Sequence, residues 1–194
     1  MNNRAILRLP ILGAVLIPLS LSLALFAPPP LPGASDVAWA CEHIHAKPER
    51  ASVRVARRAT ICLINSARHR NGRRRLDNNP DLGLSSRRHS DYMRSHHCFS
   101  HQCYGEADLL GRVSATGYML GASSYRCGET LAWDAHQGAS PKAIVRAWLH
   151  SPTHRPVLLS GDFEHLGVGV VWASPWDAKA AAGTYTADLC ERRG

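Results

Sequence analysis

The first third of the chain contains apolar residues that repeat at helical spacing. Between residues 51 and 69, Val55, Ala59 and Cys62 follow one another at intervals of three or four, and arginines occupy the other positions. This spacing places apolar side chains on one face of an α-helix, and Asn71-Gly72 supplies a stop signal. The pattern therefore predicts a first helix that packs with one face against a core.

Three further helices are predicted downstream. Residues 77–80 are typical of a turn followed by a helix cap, and Ser140-Pro141 is typical of a helix start. Residues 96–105 hold three histidines and two cysteines with little apolar periodicity, so we expect a loop there. The three additional helices are expected over 80–95, 109–116 and 141–150.

Three segments have the character of strands. Leu166–Trp172 is β-branched and punctuated by glycine, which predicts a strand with close backbone neighbours. Thr184–Leu189 alternates and is expected to pair with it in an antiparallel sense, and Gly128–Asp134 is a short extended segment. Helices on the faces of a small sheet predict an α+β domain, or a three-layer domain.

The first forty residues follow a different pattern. Arg4 and Arg8 precede or enter an apolar run, prolines break the run, and Ala38-Trp39-Ala40 offers a small-x-small cleavage site before Cys41. This layout is typical of a secretory signal. A retained membrane anchor is the minority interpretation, because charge and prolines interrupt the run. A lipoprotein is a minor one, since Ala38 stands where a lipobox has Leu.

We therefore divide the chain into three parts. Residues 1–40 form the signal peptide, residues 41–50 a mature N-terminal arm, and residues 51–194 one domain, for which the length suffices. After cleavage no stable transmembrane segment is expected, and the location is secreted or extracytoplasmic. The oligomeric state is left open.

Six cysteines, an even number, all lie beyond the proposed cleavage site. In an exported chain this count indicates three disulfides rather than a zinc cluster. Six cysteines permit about 15 pairings, and the sequence does not choose among them. Our hypothesis is that a small loop closes around His101 and that the N-terminus is joined to the first helix, giving Cys98–Cys103, Cys41–Cys62 and Cys127–Cys190.

The chain is basic, with a net charge of +8. An exported basic domain is suited to anionic envelope polymers or lipid headgroups. Arg54, Arg57 and Arg58 fall on one flank of the first helix, and we interpret that flank as a solvated face. No exposed aromatic residues are interleaved with the arginines, so nucleic acid is not expected as a partner.

The candidate chemistry comes from three separated segments that contain His101, Glu129 and His154. Two imidazoles and one carboxylate are suited to hold a divalent cation such as zinc with an open position, or to move protons. The segments lack the His-Glu-x-x-His spacing of metalloproteases. The alternative is that the three side chains hydrogen-bond one another and hold the sheet to the fourth helix.

Several other residues have a simpler interpretation. His89 falls on the apolar face of the second helix and is expected to be a satisfied core histidine rather than a ligand. Trp133, Trp148 and Tyr118 are expected to pack in the core, because they occur where helix or strand packing requires bulk.

A series of motifs in a fixed order carries a family resemblance. The motifs are Leu63-Ile64-Asn65 with Arg68; Leu82, Ser86, His89 and Met93; Phe99-Ser100-His101; Arg112 with Gly117-Tyr118; Gly128–Ala132; Trp148–Arg155; Leu166–Val170; and Thr184-Tyr185-Thr186. Over about Ile61 to Leu189 the chain resembles the CAP superfamily (cysteine-rich secretory proteins, antigen 5 and pathogenesis-related proteins). It is most similar to the bacterial SCP-like extracellular branch.

The resemblance implies an α-β-α sandwich with a small, largely antiparallel sheet and a cleft lined by His101, Glu129 and His154. Two departures stand out. Thr130 replaces the Asn that usually follows the family's glutamate, and Ser151 occupies the place of a second glutamate found in animal and plant members. A full set of two histidines and two glutamates is therefore not available.

These observations favour an exported binding module that is not an enzyme. Its cleft of His101, Glu129, His154 and Ser151 would hold a lipid, an envelope component or a weakly bound divalent cation. The alternative function is a cation-dependent hydrolase that acts on envelope polymers or peptides. A structural or adhesion domain without a small ligand is a third interpretation.

Overall fold

The computed structural model describes residues 41–48 and 50–194, so the proposed signal segment and its cleavage site lie outside the described residues. The helices are α1 (Val53–Arg70), α2 (Pro80–Ser95), α3 (Leu109–Ser114), α4 (Pro141–His150) and α5 (His154–Leu159). The strands are β1 (Asp77–Asn78), β2 (Ser124–Ala135), β3 (His165–Val171) and β4 (Ala182–Arg193). None of the helices in the described ranges is long and apolar enough to cross a membrane.

The four strands form one mixed sheet in the order β1-β3-β4-β2. β1 runs parallel to β3, and the β3–β4 and β4–β2 pairs are antiparallel. Helices α2 and α3 cover one face of the sheet, and α1, α4 and α5 pack on the other. This arrangement confirms the predicted three-layer α-β-α sandwich with a small, largely antiparallel sheet.

Two short elements, β1 and α5, were not expected from the sequence. The segment predicted as a turn and cap does cap α2 through Asn79, whose Oδ1 accepts from the backbone N–H of Asp81, but it also forms β1. The backbone bond from Asp77 N to the Glu164 oxygen (2.8 Å) shows why: the chain that enters α2 runs along the edge of β3. His154, expected in a turn after α4, instead begins α5.

The glycines of β3 allow α2 to lie directly on the sheet. A Cβ at Gly167 would lie 2.1 Å from the carbonyl carbon of Leu82, and one at Gly169 would lie 2.2 Å from that of Ser86. Any side chain at either position would push the helix away, because such separations are far below contact distance. The close backbone neighbours predicted for this strand are therefore present.

The main apolar core lies on the opposite face of the sheet. Trp148 of α4 is 1% exposed, and its indole N–H donates to the Leu131 oxygen at 2.9 Å. Tyr118 is likewise buried, as expected. Trp133 is 37% exposed, so its predicted core position is wrong; it lies near the end of the edge strand β2.

Three disulfides join distant parts of the described chain. Cys127 and Cys190 lie directly opposite each other in the β2–β4 register. The Cys98–Cys103 bond closes the short loop that carries His101, and Cys41 anchors the N-terminal arm to α1 through Cys62. These are the three pairs proposed from the sequence.

Candidate functional site

The predicted site residues come from four places in the fold. His101 lies in the loop after α2, inside the ring closed by Cys98 and Cys103. Glu129 lies in the middle of β2 and faces the α2 layer. Ser151 connects α4 to α5, and His154 is the first residue of α5.

Glu129 is the centre of the site. Its side chain is 2% exposed, and both carboxylate oxygens are engaged. Nδ1 of His101 donates to Oε1 at 2.8 Å, and Nη2 of Arg112 donates to Oε2 at 2.6 Å. Arg112 also donates to the main-chain oxygen of His101 at 2.9 Å, so that one guanidinium holds both the carboxylate and the loop.

The electrostatics keep Glu129 ionised. Burial by itself raises the pKa of Glu129, because it disfavours the charged form. The hydrogen bond from His101 and the charges of Arg112 and His89 outweigh burial, so the pKa of Glu129 lies below its ordinary value. Glu129 is therefore a fixed anion at neutral pH.

His154 lies near this pair without bonding to it. Burial, followed by the charge of His101, lowers the pKa of His154, which places the two imidazoles within electrostatic reach. The backbone N–H of His154 donates to Oγ of Ser151 at 3.3 Å, and that oxygen also lies 2.9 Å from Oγ1 of Thr153. The structure thus brings His101 and Glu129 into contact, while His154 interacts electrostatically with His101 and Ser151 bonds to the His154 backbone.

The donor set does not have the arrangement of a metal centre. Across residues 41–48 and 50–194, no group of three or more His, Cys, Asp and Glu side chains is placed to hold a metal ion. The oxygens of Glu129 already accept hydrogen bonds from His101 and Arg112, so a cation would have to displace a buried guanidinium. In this conformation the residues do not fit zinc.

The sequence analysis named His89 but did not predict its contacts with the carboxylates behind and beside Glu129. His89 is fully buried, and its Nδ1 lies 2.9 Å from both carboxylate oxygens of Glu106. Its other nitrogen, Nε2, lies 3.8 Å from Oε2 of Glu129. His89 is thus buried in the core, as expected, but it lies between two carboxylates, and the expected full satisfaction is wrong because Nε2 has no hydrogen-bond partner among the described residues.

Asp188 is a buried residue beside Glu129 that the sequence analysis did not identify. It lies directly opposite Glu129 in the β2–β4 register and is fully buried. Burial, and then the charge of Glu129, raises the pKa of Asp188 well above its ordinary value, although the charge of Arg112 acts in the opposite direction. Within this pair a proton is therefore held more tightly by Asp188 than by Glu129. Alternation along β4 does not reveal this position by itself, because it becomes informative only once the β2–β4 register is known.

Several polar atoms near this pair lack a hydrogen-bond partner among the described residues. They belong to both faces of the sheet and include Oγ of Ser85, Nε2 of His89, Oγ1 of Thr130 and both carboxyl oxygens of Asp188. Thr130 occupies the position at which CAP proteins usually have Asn, and its buried hydroxyl makes no hydrogen bond with the described residues. The interface between α2 and the sheet is a polar interior, and buried polar groups of this kind are usually satisfied by internal water.

Comparison with known proteins agrees with this architecture. The model of the cysteine-rich secretory protein family, CAP, matches residues 62–186. The uncharacterized protein YkwD of Bacillus subtilis is 30% identical over 120 residues, which is 62% of this chain and 44% of YkwD. The chain thus spans less than half the length of that relative.

Two solved structures share the fold. An outer surface protein from Borrelia burgdorferi superposes with a TM-score of 0.60 at 15% identity, covering 74% of this chain and 97% of that one. An extracellular protein containing an SCP domain from Bacillus anthracis superposes with a TM-score of 0.56 at 22% identity, covering 74% of this chain and 44% of that one. At these identities the likeness concerns the fold alone.

Proposed function

This chain belongs to the cysteine-rich secretory protein (CAP) family, and we propose that it is an exported, non-enzymatic binding module. Its cleft of His101, Glu129, His154 and Ser151 holds a lipid or another envelope component. The observation that carries the proposal is the engagement of Glu129 by His101 and Arg112. A carboxylate held in this way orients a loop and presents His101, whose side chain is 60% exposed, to a ligand.

Export is supported by the disulfides. Three disulfides within the described residues are typical of an oxidising compartment and are rare in the cytosol. The predicted signal over residues 1–40 leads to the same location. We therefore propose a secreted or extracytoplasmic site of action.

The surface near His101 supports an amphiphilic ligand. Phe99, two residues before His101, is 36% exposed, and Tyr104, three residues after it, is fully exposed. Exposed aromatic side chains next to a polar anchor are suited to a molecule with one apolar and one polar part. The loop braced by Cys98 and Cys103 thus offers both kinds of contact.

The proposal is tested by extraction and binding. We expect mass spectrometry of the purified oxidised protein to find co-extracted lipid, and a panel of envelope lipids to contain a binder. His101→Ala and Tyr104→Ala should each weaken that binding by about fivefold or more. Leu120→Ala is the matched control, because Leu120 is 80% exposed but lies on another loop. Absence of both co-extracted and added lipid would overturn the proposal.

The alternative function is a cation-dependent hydrolase acting on envelope polymers or peptides. It is favoured by one observation: the pKa values of Asp188 and Glu129 are moved in opposite directions, a pattern of acid and base pairs. Stoichiometric zinc that disappears in His101→Ala and His154→Ala would support it. Absence of bound metal, together with absence of any activity that responds to chelator, would exclude it.

A further inference from the structure

A cavity separate from the His101–Glu129 cleft opens between α1 and α2. Its volume is about 220 Å³, and it lies beside residues 168–170 of β3. Three arginines line it: Arg54 and Arg57 from α1, and Arg87 from α2. No carboxylate is among the described residues that line it, so the cavity has a concentrated positive charge.

The three guanidinium groups have no anionic partner in the described part of the chain. None of them takes part in a salt bridge or a side-chain hydrogen bond there, and Nε of Arg57 is buried without a partner. The side chain of Arg57 reaches towards α2, since a Cβ at Gly83 would lie 3.7 Å from its Nη1. We expected Arg54, Arg57 and Arg58 to form a solvated face of α1. This prediction is wrong for Arg57, which is half-buried, whereas Arg58 is exposed.

The strand edge adds backbone donors to the same cavity. The Leu166 oxygen accepts from Asn79 N at 2.9 Å, so Leu166 directs its backbone polar groups towards β1. Because backbone direction alternates along a strand, the N–H and C=O groups of Val168 and Val170 point to the same side as those of Leu166, at a level beyond the end of β1. Within the described residues no strand pairs with them there, and both are buried, at 0% and 3% exposure. The N–H groups of Val168 and Val170 are therefore candidate donors at the wall of the cavity.

We propose that this cavity is a binding site for a phosphate group. Guanidinium forks bind tetrahedral oxyanions with paired, charge-assisted hydrogen bonds, and the backbone N–H groups of Val168 and Val170 supply further donors. Three positive charges match a phosphate with up to two negative charges. The phosphate is either free in solution or part of the headgroup of an anionic lipid.

Titration with inorganic phosphate at constant ionic strength tests the site. We expect the amide resonances of Val168 and Val170 to shift saturably in the NMR spectrum of the oxidised protein. Arg57→Gln and Arg87→Gln should each weaken the apparent affinity by about tenfold or more, because each removes a charge-assisted hydrogen bond. Arg87→Gln changes a surface residue, so that folding is retained.

Neighbouring arginines provide matched controls with the same change in charge. Arg58→Gln and Arg88→Gln alter exposed residues that do not line the cavity, and should leave the affinity within about twofold. Equal weakening by all four variants, or no shift at Val168 and Val170, would overturn the proposal, because either result describes a diffuse basic surface.

Vesicles distinguish the two sources of phosphate. The protein is sedimented with phosphatidylcholine vesicles that contain phosphatidic acid. If Arg57→Gln and Arg87→Gln abolish this co-sedimentation and the two control variants retain it, the phosphate belongs to a lipid headgroup. Saturable binding of inorganic phosphate without vesicle binding identifies a soluble phosphate. Vesicle binding that all four variants weaken equally counts against the site.

Discussion

The two faces of the sheet differ in what they bury. On the α1–α4 face, Ala187 lies in the same apolar core as Trp148. On the α2 face, the next residue along β4, Asp188, lies opposite Glu129 in a group of buried ionisable side chains. Buried apolar area stabilises a fold, whereas buried charges cost desolvation energy unless they are paired. The comparison indicates that the apolar face holds the domain together, whereas the α2 face holds the Glu129 network of the candidate site.

The largest expected effect is on the apolar face. Trp148→Ala should lower the free energy of unfolding by about 3–5 kcal/mol, because it leaves a cavity and removes the bond to the Leu131 oxygen. Urea denaturation followed by circular dichroism measures the change. Trp176→Ala is the control, since Trp176 is 54% exposed and should change stability by less than about 0.5 kcal/mol. Equal losses in the two variants would contradict the assignment of the core.

The second-largest expected effect is on the α2 face, where the ion pair of Arg112 and Glu129 is removed. Arg112→Met leaves Glu129 buried without its main counter-ion, and should lower the free energy of unfolding by about 3 kcal/mol. Adding Glu129→Gln to this variant should recover part of the loss, because the uncompensated charge is then removed. The double-mutant cycle by urea denaturation measures both.

The surface pair of Arg126 and Asp162 is the control for that cycle. Its two side chains are 58% and 57% exposed and 2.9 Å apart. Arg126→Met should cost less than about 1 kcal/mol, because exposed ion pairs contribute little. If Arg112→Met proved as mild as this, the network around Glu129 would not be a buried one.

The sequence predicted the packing elements of the fold better than the buried polar network on the α2 face. The helices α1, α2 and α4 followed from local periodicity and caps, and the glycines of β3 indicated close packing. His101 and Glu129 followed from motifs. The charges behind them did not, because a polar residue in an alternating strand looks solvent-exposed until the register and the covering helix are known. Asp188 faces Glu129 through pairing between strands that are far apart along the chain, and local patterns carry no such information.

The smallest expected effect concerns the proton held by Asp188, and pH reveals it. In the unfolded chain an aspartate ionises above about pH 4, whereas in the folded protein burial and the charge of Glu129 keep Asp188 protonated to a higher pH. The stability that Asp188 contributes is therefore present below about pH 4 and is lost as pH rises through its raised folded pKa. Asp188→Asn removes this dependence, since the amide does not titrate.

We expect Asp188→Asn to change the free energy of unfolding by no more than about 1 kcal/mol near pH 4, because the amide is nearly isosteric with the protonated acid. As pH rises, the variant should become progressively more stable relative to the parent protein. Urea denaturation at several pH values above about 4 measures the trend and avoids the acid range in which Glu129, with its lowered pKa, would be protonated. Asp162→Asn, at an exposed position, should show no such trend. A constant difference for Asp188→Asn would mean that Asp188 is ionised in the folded protein, and the α2 face would then hold two anions opposite each other.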